Sequence, residues 1–136
     1  MDSCFWFEYG VTVQPHHTDY AGIVWHGTYV SWMEEARIAY LKARGITFAD
    51  WINAGVDLPV VNLALRYRQS LALGEEALIK VRFETPRGVR MVCHYAIQNR
   101  QTQATCTEGQ VILVPVDVKT RKVLRRLPEH LRVALE

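Results

Sequence analysis

The 136-residue chain has the composition of a globular protein, with 49% hydrophobic and 22% charged residues, and its length predicts one domain over residues 1–136. Its net charge is +2 and its lysines and arginines are spread along the chain. This distribution argues against a nucleic-acid-binding surface but is compatible with a small anionic ligand. The chain has no long apolar run and no basic leader, so we expect a cytoplasmic protein without a membrane span. Cys4, Cys93 and Cys106 lack metal-ligand spacing and are interpreted as reduced thiols.

Residue spacing predicts an N-terminal strand followed by a long helix. Apolar residues at every second position from Phe5 to Val13 fit a strand with one buried face, and Pro15 ends it. From Gly27 to Arg44, apolar residues recur with the helical period, which predicts a helix about 25 Å long. Gly45 is a typical residue just beyond a helix end.

A short helix and four more strands follow. Residues Thr47 to Ala54 predict the helix, with Thr47 as its N-cap and Gly55 at its end. Alternation predicts strands at Val60–Arg68, Ala77–Glu84, Arg90–Gln98 and Ala104–Val116, joined in part by hairpin turns. Pro128 is typical of the start of a terminal helical turn. This order predicts an α+β fold, a five-stranded antiparallel sheet with one long helix on one face, and its uncovered face and edges predict subunit association.

The segment from Pro15 to Tyr29 carries the groups best suited to chemistry. It contains Asp19 and leads into the long helix, where unpaired backbone N–H groups gather at the N-terminus. A carboxylate beside a carbonyl whose oxygen such N–H groups hold is an arrangement for acyl-transfer hydrolysis. Taken alone, Asp19 is just as typical of a turn, with its carboxylate bound to local N–H groups, so both interpretations stay open at this point.

Other chemistry in this segment has weaker support. His16, His17, His26 and Asp19 suggest a metal site, but adjacent histidines on an extended segment point to opposite sides, and no regular His spacing follows. The chain has no Gly-x-Ser-x-Gly motif, and no cysteine lies in an electropositive helix start. We therefore predict no metal and no serine or cysteine triad.

The long helix carries charges on its polar arc. Glu34 and Glu35 lie there with Lys42, and we expect them to be solvated or paired with Lys42 or Arg37 rather than to act as bases. The aromatic residues on the other arc are interpreted as core: Tyr29, Trp32 and Tyr40.

These residues carry a resemblance to a known family. The segment from His17 to Tyr29, followed by Trp32, Glu35, Ala36 and Arg37, resembles the signature of the 4-hydroxybenzoyl-CoA thioesterase branch of the hotdog-fold superfamily, which includes the Tol-Pal-associated acyl-CoA thioesterases. The order of strands and helices agrees over nearly the whole chain. In that family an antiparallel sheet wraps a long helix, two subunits join their sheets, and dimers commonly pair. The resemblance therefore implies a hotdog fold and a homodimer or homotetramer.

The resemblance also implies roles for individual residues. Asp19 is the implied catalytic carboxylate, as nucleophile or general base, and the backbone N–H of His26 would polarise the thioester carbonyl. The implied substrate-binding residues are Tyr20, Gly22, Trp25, Gly27 and Tyr29. Basic residues at the turn between the third and fourth strands would bind the CoA phosphates, here at Arg87, Gly88 and Arg90. The family often has Asn where this chain has Thr28, and it needs no cofactor.

The sequence therefore predicts an acyl-CoA thioesterase that hydrolyses a thioester to a free acid and CoA. Aromatic substrates of the hydroxybenzoyl- or dihydroxynaphthoyl-CoA type are one option, since Tyr20, Trp25 and Tyr29 flank the loop. An acyl-carrier-protein thioesterase and a non-catalytic acyl-thioester binding module are alternatives, and Asp19 argues against the second. A hotdog dehydratase would need a paired His and acid across a dimer. The acyl group, the carrier and the choice between covalent and general-base mechanisms stay open.

Overall fold

The computed structural model describes residues 5–135 and contains one long helix and five long strands. The strands are β1 (Phe7–Thr12), β2 (Val56–Asp57), β3 (Val60–Tyr67), β4 (Glu76–Phe83), β5 (Met91–Asn99), β6 (Thr105–Leu113) and β7 (Val116–Asp117). The helices are α1 (Thr28–Ala43), α2 (Phe48–Ala54) and α3 (Glu129–Leu135), and a 3₁₀ helix spans Pro15–His17. The predicted α+β class is confirmed.

The five long strands form one antiparallel sheet in the order β1-β4-β5-β6-β3. Since neighbours alternate in direction, β1, β5 and β3 all end at the same side of the sheet. We call that side, with Thr12 and Tyr67, the loop end. The opposite side, with the turn at residues 84–90, is the turn end. A helix of 16 residues, α1, lies on the inner face and buries Trp32 and Met33 against the sheet.

The environment of Arg37 on α1 differs from the prediction. Glu34 and Glu35 are exposed, as expected, but Arg37 is only 9% exposed. The expected pairing of Arg37 with these glutamates is wrong, because no ion pair among residues 5–135 includes Arg37. The physical reason is its place in the helix. Arg37 lies one turn from both Met33 and Leu41, which are buried, so it belongs to their row rather than to the polar arc.

The signals at the ends of α2 are confirmed. The N–H of Thr47 donates to the carboxylate of Asp50 at 2.7 Å, and Gly55 ends the helix with φ +68°, a left-handed conformation that glycine adopts without steric cost. The paired strands β2 and β7 were not predicted. Each has two residues, which is too short to show an alternation.

The two cysteines within the described residues are free thiols. Cys93 and Cys106 are both buried, as predicted, and Cys4 lies outside the described residues. Among residues 5–135, no helix combines the length and apolar character needed to span a bilayer.

Candidate active site

The loop between β1 and α1 folds into a tight hairpin around Asp19. The N–H of Asp19 donates to the carbonyl of Ile23 at 2.8 Å, and the N–H of Gly22 donates to the carbonyl of Asp19 at 3.0 Å. Gly22 has φ +77°, a conformation that costs a residue with a Cβ atom free energy. Gly22 therefore allows the chain to reverse within these few residues.

The carboxylate of Asp19 has one occupied oxygen and one free oxygen. Oδ1 accepts the N–H groups of Ala21 at 2.8 Å and Ile23 at 3.3 Å, so Asp19 is a turn former, one of the two interpretations that the sequence left open. The side chain is exposed, and Oδ2 has no hydrogen-bond or ionic partner among residues 5–135. The turn thus fixes the carboxylate and leaves Oδ2 open to a substrate or to water.

The hairpin is anchored to its surroundings on both sides. The N–H of Val24 donates to the carbonyl of Leu71 at 2.8 Å, and the N–H of Trp25 donates to the carbonyl of His17 at 3.0 Å. The hydroxyl of Thr28 donates to the same His17 carbonyl at 2.9 Å. These bonds hold the loop between the 3₁₀ helix and the segment that precedes β4, so Asp19 and the start of α1 keep a fixed relation.

The helix start at His26 and Gly27 offers an open donor. Gly27 is the N-cap of α1, and the N–H of His26 has no acceptor within the described part of the chain. The carbonyl of His26 does have a partner, because the hydroxyl of Tyr67 donates to it at 2.9 Å. A Cβ atom on Gly27 would lie 2.2 Å from the ring of Trp25, so glycine is needed for this close approach. The arrangement suits an acceptor oxygen placed at the helix N-terminus.

A small cavity of about 250 Å³ lies beside this helix start. Its wall includes His26, Tyr29 and Tyr67, and the rings of Tyr29 and Tyr67 meet at 5.6 Å between centroids. Tyr29 is buried, and burial raises the pKa of its hydroxyl to about 12. Tyr29 is therefore a neutral part of the cavity wall and the core.

The histidines of the loop make separate contacts. The ring of His17 packs against Trp32 with centroids 5.1 Å apart, and its Nδ1 accepts the N–H of Gln14 at 2.9 Å. Burial, followed by the charge of His16, lowers the pKa of His17. The ring of His26 instead packs on Trp25 at 4.8 Å. Among residues 5–135, no three His, Cys, Asp or Glu side chains gather as metal ligands would.

The remaining predicted site residues lie in two places. Tyr20 is fully exposed at the tip of the hairpin, and Trp25 is 52% exposed above Gly27. Arg87 and Arg90, with Gly88 between them, form the β4–β5 turn at the turn end. The strand β4 of 8 residues separates this turn from the loop end by about 26 Å. Within one chain, the predicted CoA-binding turn is thus far from Asp19.

Sequence reasoning missed Tyr67. It is the last residue of β3, and its hydroxyl meets the loop only because β1 and β3 end at the same side of the sheet. The alternation in β3 correctly placed Tyr67 with Leu63 and Leu65 on one face. The strand order was the additional information needed to bring that face to His26, and no local pattern contains it.

Comparison with known proteins gives a family pattern and several relatives. The pattern of the thioesterase-like superfamily matches residues 13–135. A protein of Synechocystis sp. that is named a putative esterase is 48% identical over 130 residues, which are 93% of this chain and 78% of that protein.

Solved structures agree with the fold. A 1,4-dihydroxy-2-naphthoyl-CoA thioesterase from Synechocystis superimposes with a TM-score of 0.89 at 22% identity, over 96% of each chain. A thioesterase from Staphylococcus aureus that acts on the same type of CoA ester has a TM-score of 0.82 at 28% identity, over 88% of this chain and 80% of that one.

Proposed function

Because the chain belongs to the thioesterase-like superfamily, we propose that it hydrolyses an acyl-CoA thioester to a free acid and CoA. The two dihydroxynaphthoyl-CoA thioesterases with the same fold support this activity. Aromatic walls beside His26 support an aromatic acyl group as one substrate class. The observation that carries the proposal is the hairpin itself, which holds a carboxylate with a free oxygen next to a helix start with a free N–H.

The mechanism follows from these two groups. The thioester carbonyl oxygen accepts the N–H of His26, which stabilises the negative charge that develops when the carbon is attacked. Oδ2 of Asp19 either attacks the carbonyl carbon or removes a proton from the attacking water. If Oδ2 attacks, the carbon–sulfur bond breaks, the CoA thiolate leaves, and water then hydrolyses the acyl–Asp19 anhydride to the free acid and the carboxylate. If Oδ2 acts as a base, water attacks the carbonyl carbon directly and the carbon–sulfur bond breaks in the next step. In both routes one water is consumed and the CoA thiolate takes up a proton.

Tyr67 and Gly27 act on the donor rather than on the substrate. The hydroxyl of Tyr67 holds the carbonyl of His26 and so fixes the orientation of the backbone around that residue. Gly27 leaves room for Trp25 to cover the helix start, which reduces the access of water and strengthens the hydrogen bond to the substrate. We therefore regard Tyr67 as a positioning residue.

We also propose that two chains pair through β3. This strand is an edge of the sheet and exposes Val60, Val61 and Leu63, a hydrophobic edge that would otherwise favour aggregation. Antiparallel pairing of two β3 strands about a twofold axis would bring the turn end of one chain beside the loop end of the other. Arg87 and Arg90 would then bind the CoA phosphates of a substrate held at the partner's Asp19. The pairing of dimers into a tetramer stays a prediction.

The free, buried cysteines agree with a cytoplasmic location.

The experiment that tests the activity is release of free thiol from aromatic, short-chain and long-chain acyl-CoAs. Asp19→Asn is the decisive variant, because the amide oxygen of Asn can still accept the two backbone N–H groups while the charge of the carboxylate is lost. We expect turnover to fall by about 10²–10⁴-fold without a change in melting temperature. Asp50→Asn is the matched control, since its carboxylate also accepts a backbone N–H, but in α2.

The outcomes separate the alternatives. Full activity of folded Asp19→Asn would contradict the role of Asp19. Release of thiol from acyl-carrier-protein thioesters but not from CoA thioesters would assign the carrier instead, and binding of acyl-CoA without release from either would identify a binding module.

A further inference from the structure

Arg37 is a buried cation without a counter-ion among residues 5–135. Its side chain lies on the face of α1 that packs on the sheet and is 9% exposed. One guanidinium nitrogen donates to the hydroxyl of Tyr95 at 3.3 Å, and no ion pair within residues 5–135 includes Arg37. A guanidinium has five N–H donors and stays charged in proteins, so most of the donors of Arg37 have no acceptor in the described part of the chain.

The neighbours of Arg37 do not supply a negative charge. Burial raises the pKa of the Tyr95 hydroxyl well above its ordinary value, and it raises the pKa of the Cys93 thiol to about 12. Both groups are therefore neutral near pH 7. A buried charge that lacks a partner is costly, which indicates that an anion from outside the described chain completes this site.

An apolar cavity of about 590 Å³ opens beside Arg37. Its apolar wall comes from α1, α2 and the segment just after β2, and includes Ile38, Leu41, Phe48, Trp51, Ile52 and Leu58. Among the described residues, the polar side-chain atoms that are fully enclosed and lack a hydrogen-bond partner belong to Trp32 and Thr107, and none belongs to Arg37. The unbonded nitrogens of Arg37 are thus not fully enclosed, and Arg37 forms part of the wall of this cavity.

The other charges around the cavity leave an excess of positive charge. Arg121 is paired with Asp57 at 3.3 Å. Lys119 and Glu34 are exposed at the margin, and neither takes part in the ion pairs found within residues 5–135. The cavity wall thus carries three cations, Arg37, Lys119 and Arg121, against two anions, Glu34 and Asp57, and Arg37 is the buried one of the three cations.

We propose that this cavity binds an apolar monocarboxylate, with the carboxylate on the guanidinium of Arg37 and the apolar part among the side chains of α2. A guanidinium recognises a carboxylate through paired N–H donors, and the volume lies within the range of about 300–1,000 Å³ that is common for small-molecule sites. Arg37 lies about 14 Å further along α1 than Thr28, so this site differs from the one at Asp19 in the same chain. An acid of this class is also what thioester hydrolysis releases, but the inference does not rest on that activity.

Calorimetric binding of octanoate and octanol tests the proposal. The two probes share a chain length, and only octanoate carries a charge. We expect the wild type to bind octanoate about 10- to 100-fold more tightly than octanol, because hydrogen bonds to charged groups are the strong ones. Arg37→Met should abolish this preference and Arg37→Lys should keep part of it. Lys119→Gln removes a cation at the exposed margin and should change the octanoate affinity less than about threefold.

Thermal melting separates a ligand site from a structural charge. Without ligand, Arg37→Met should melt at the same or a higher temperature than the wild type, since an apolar side chain replaces an unpaired buried charge. Octanoate should raise the melting temperature of the wild type and of Lys119→Gln more than that of Arg37→Met. A lower melting temperature of Arg37→Met together with loss of its oligomer would overturn the proposal, because the counter-ion would then be a carboxylate of another subunit. Equal binding of octanoate and octanol by the wild type would overturn it as well.

Discussion

Replacing Tyr67 by Phe tests whether the backbone at His26 acts in catalysis. The substitution removes the hydroxyl that donates to the carbonyl of His26 at 2.9 Å. It keeps the ring, whose centroid lies 5.6 Å from that of Tyr29, so the packing of the cavity wall is retained. The variant therefore changes one hydrogen bond next to the proposed oxyanion donor and little else.

The size of the effect follows from that bond. A hydrogen bond between neutral groups contributes about 0.5–1.5 kcal/mol, and about 1.4 kcal/mol of transition-state stabilisation corresponds to a tenfold change in rate. Since His26 is exposed, water can replace the lost donor in part. We expect kcat to fall about three- to tenfold with little change in KM, because the orientation of the N–H matters most when the oxyanion forms.

The assay is thiol release with kcat and KM determined separately, alongside a melting curve. Tyr9→Phe is the matched control, because the hydroxyl of Tyr9 donates to Glu35 at 3.1 Å and lies on β1 outside the hairpin. An unchanged kcat of Tyr67→Phe, with only a lower melting temperature, would refute the positioning role. An equal loss in both tyrosine variants would refute it too, since the effect would then not be specific to His26.

Three further predictions concern the same loop. Gly22→Ala should destabilise the protein by about 1–2 kcal/mol through its positive φ alone, as a Cβ atom there meets nothing within 4 Å, and a melting curve would show a drop of about 3–6 °C. Gly27→Ala should displace the ring of Trp25, with a clear loss of kcat and a smaller loss of melting temperature. Adding Trp25→Ala to this variant should restore the melting temperature. The pKa of His17 is lowered by folding, so the unfolded chain takes up a proton first and stability should fall as the pH drops below the ordinary His pKa of 6.5. Protonation would also break the hydrogen bond from the N–H of Gln14 to Nδ1 of His17. The melting temperature should therefore change less between pH 7 and pH 5 in His17→Gln than in the wild type.

The sequence was informative about the fold where periodicity is long. The α1 helix and the five long strands each repeat their apolar pattern over several turns or residue pairs, and α2 has a chemical signal at both ends, Thr47 and Gly55. The pair β2–β7 was missed because two residues cannot show a period. Pro15 was correctly expected to end β1, but the 3₁₀ helix that it starts depends on contacts of Gln14 and His17 within the loop.

The site was predictable to the extent that it is local. Asp19, Gly22 and the helix start are neighbours in sequence, and the structure places Asp19 and Gly22 in one hairpin that precedes the helix. The structure also explains why two interpretations of Asp19 were open, since one carboxylate oxygen forms the turn and the other stays free. Arg87 and Arg90 were named without knowledge of the sheet order, which places them at the turn end.

Arg37 illustrates why a helical pattern alone does not identify a ligand site. A cation that closely follows two exposed glutamates in the sequence is most simply interpreted as a surface residue, because unpaired charges are seldom buried. Its one-turn spacing from Met33 and Leu41 fits the buried row equally well, and the packing of α1 on the sheet decides between the two. The same packing leaves the guanidinium beside a cavity instead of a carboxylate. The local rule thus fails at a cation that is buried without a counter-ion among the described residues. Because such failures are expected at functional sites, this one supports the proposed carboxylate site.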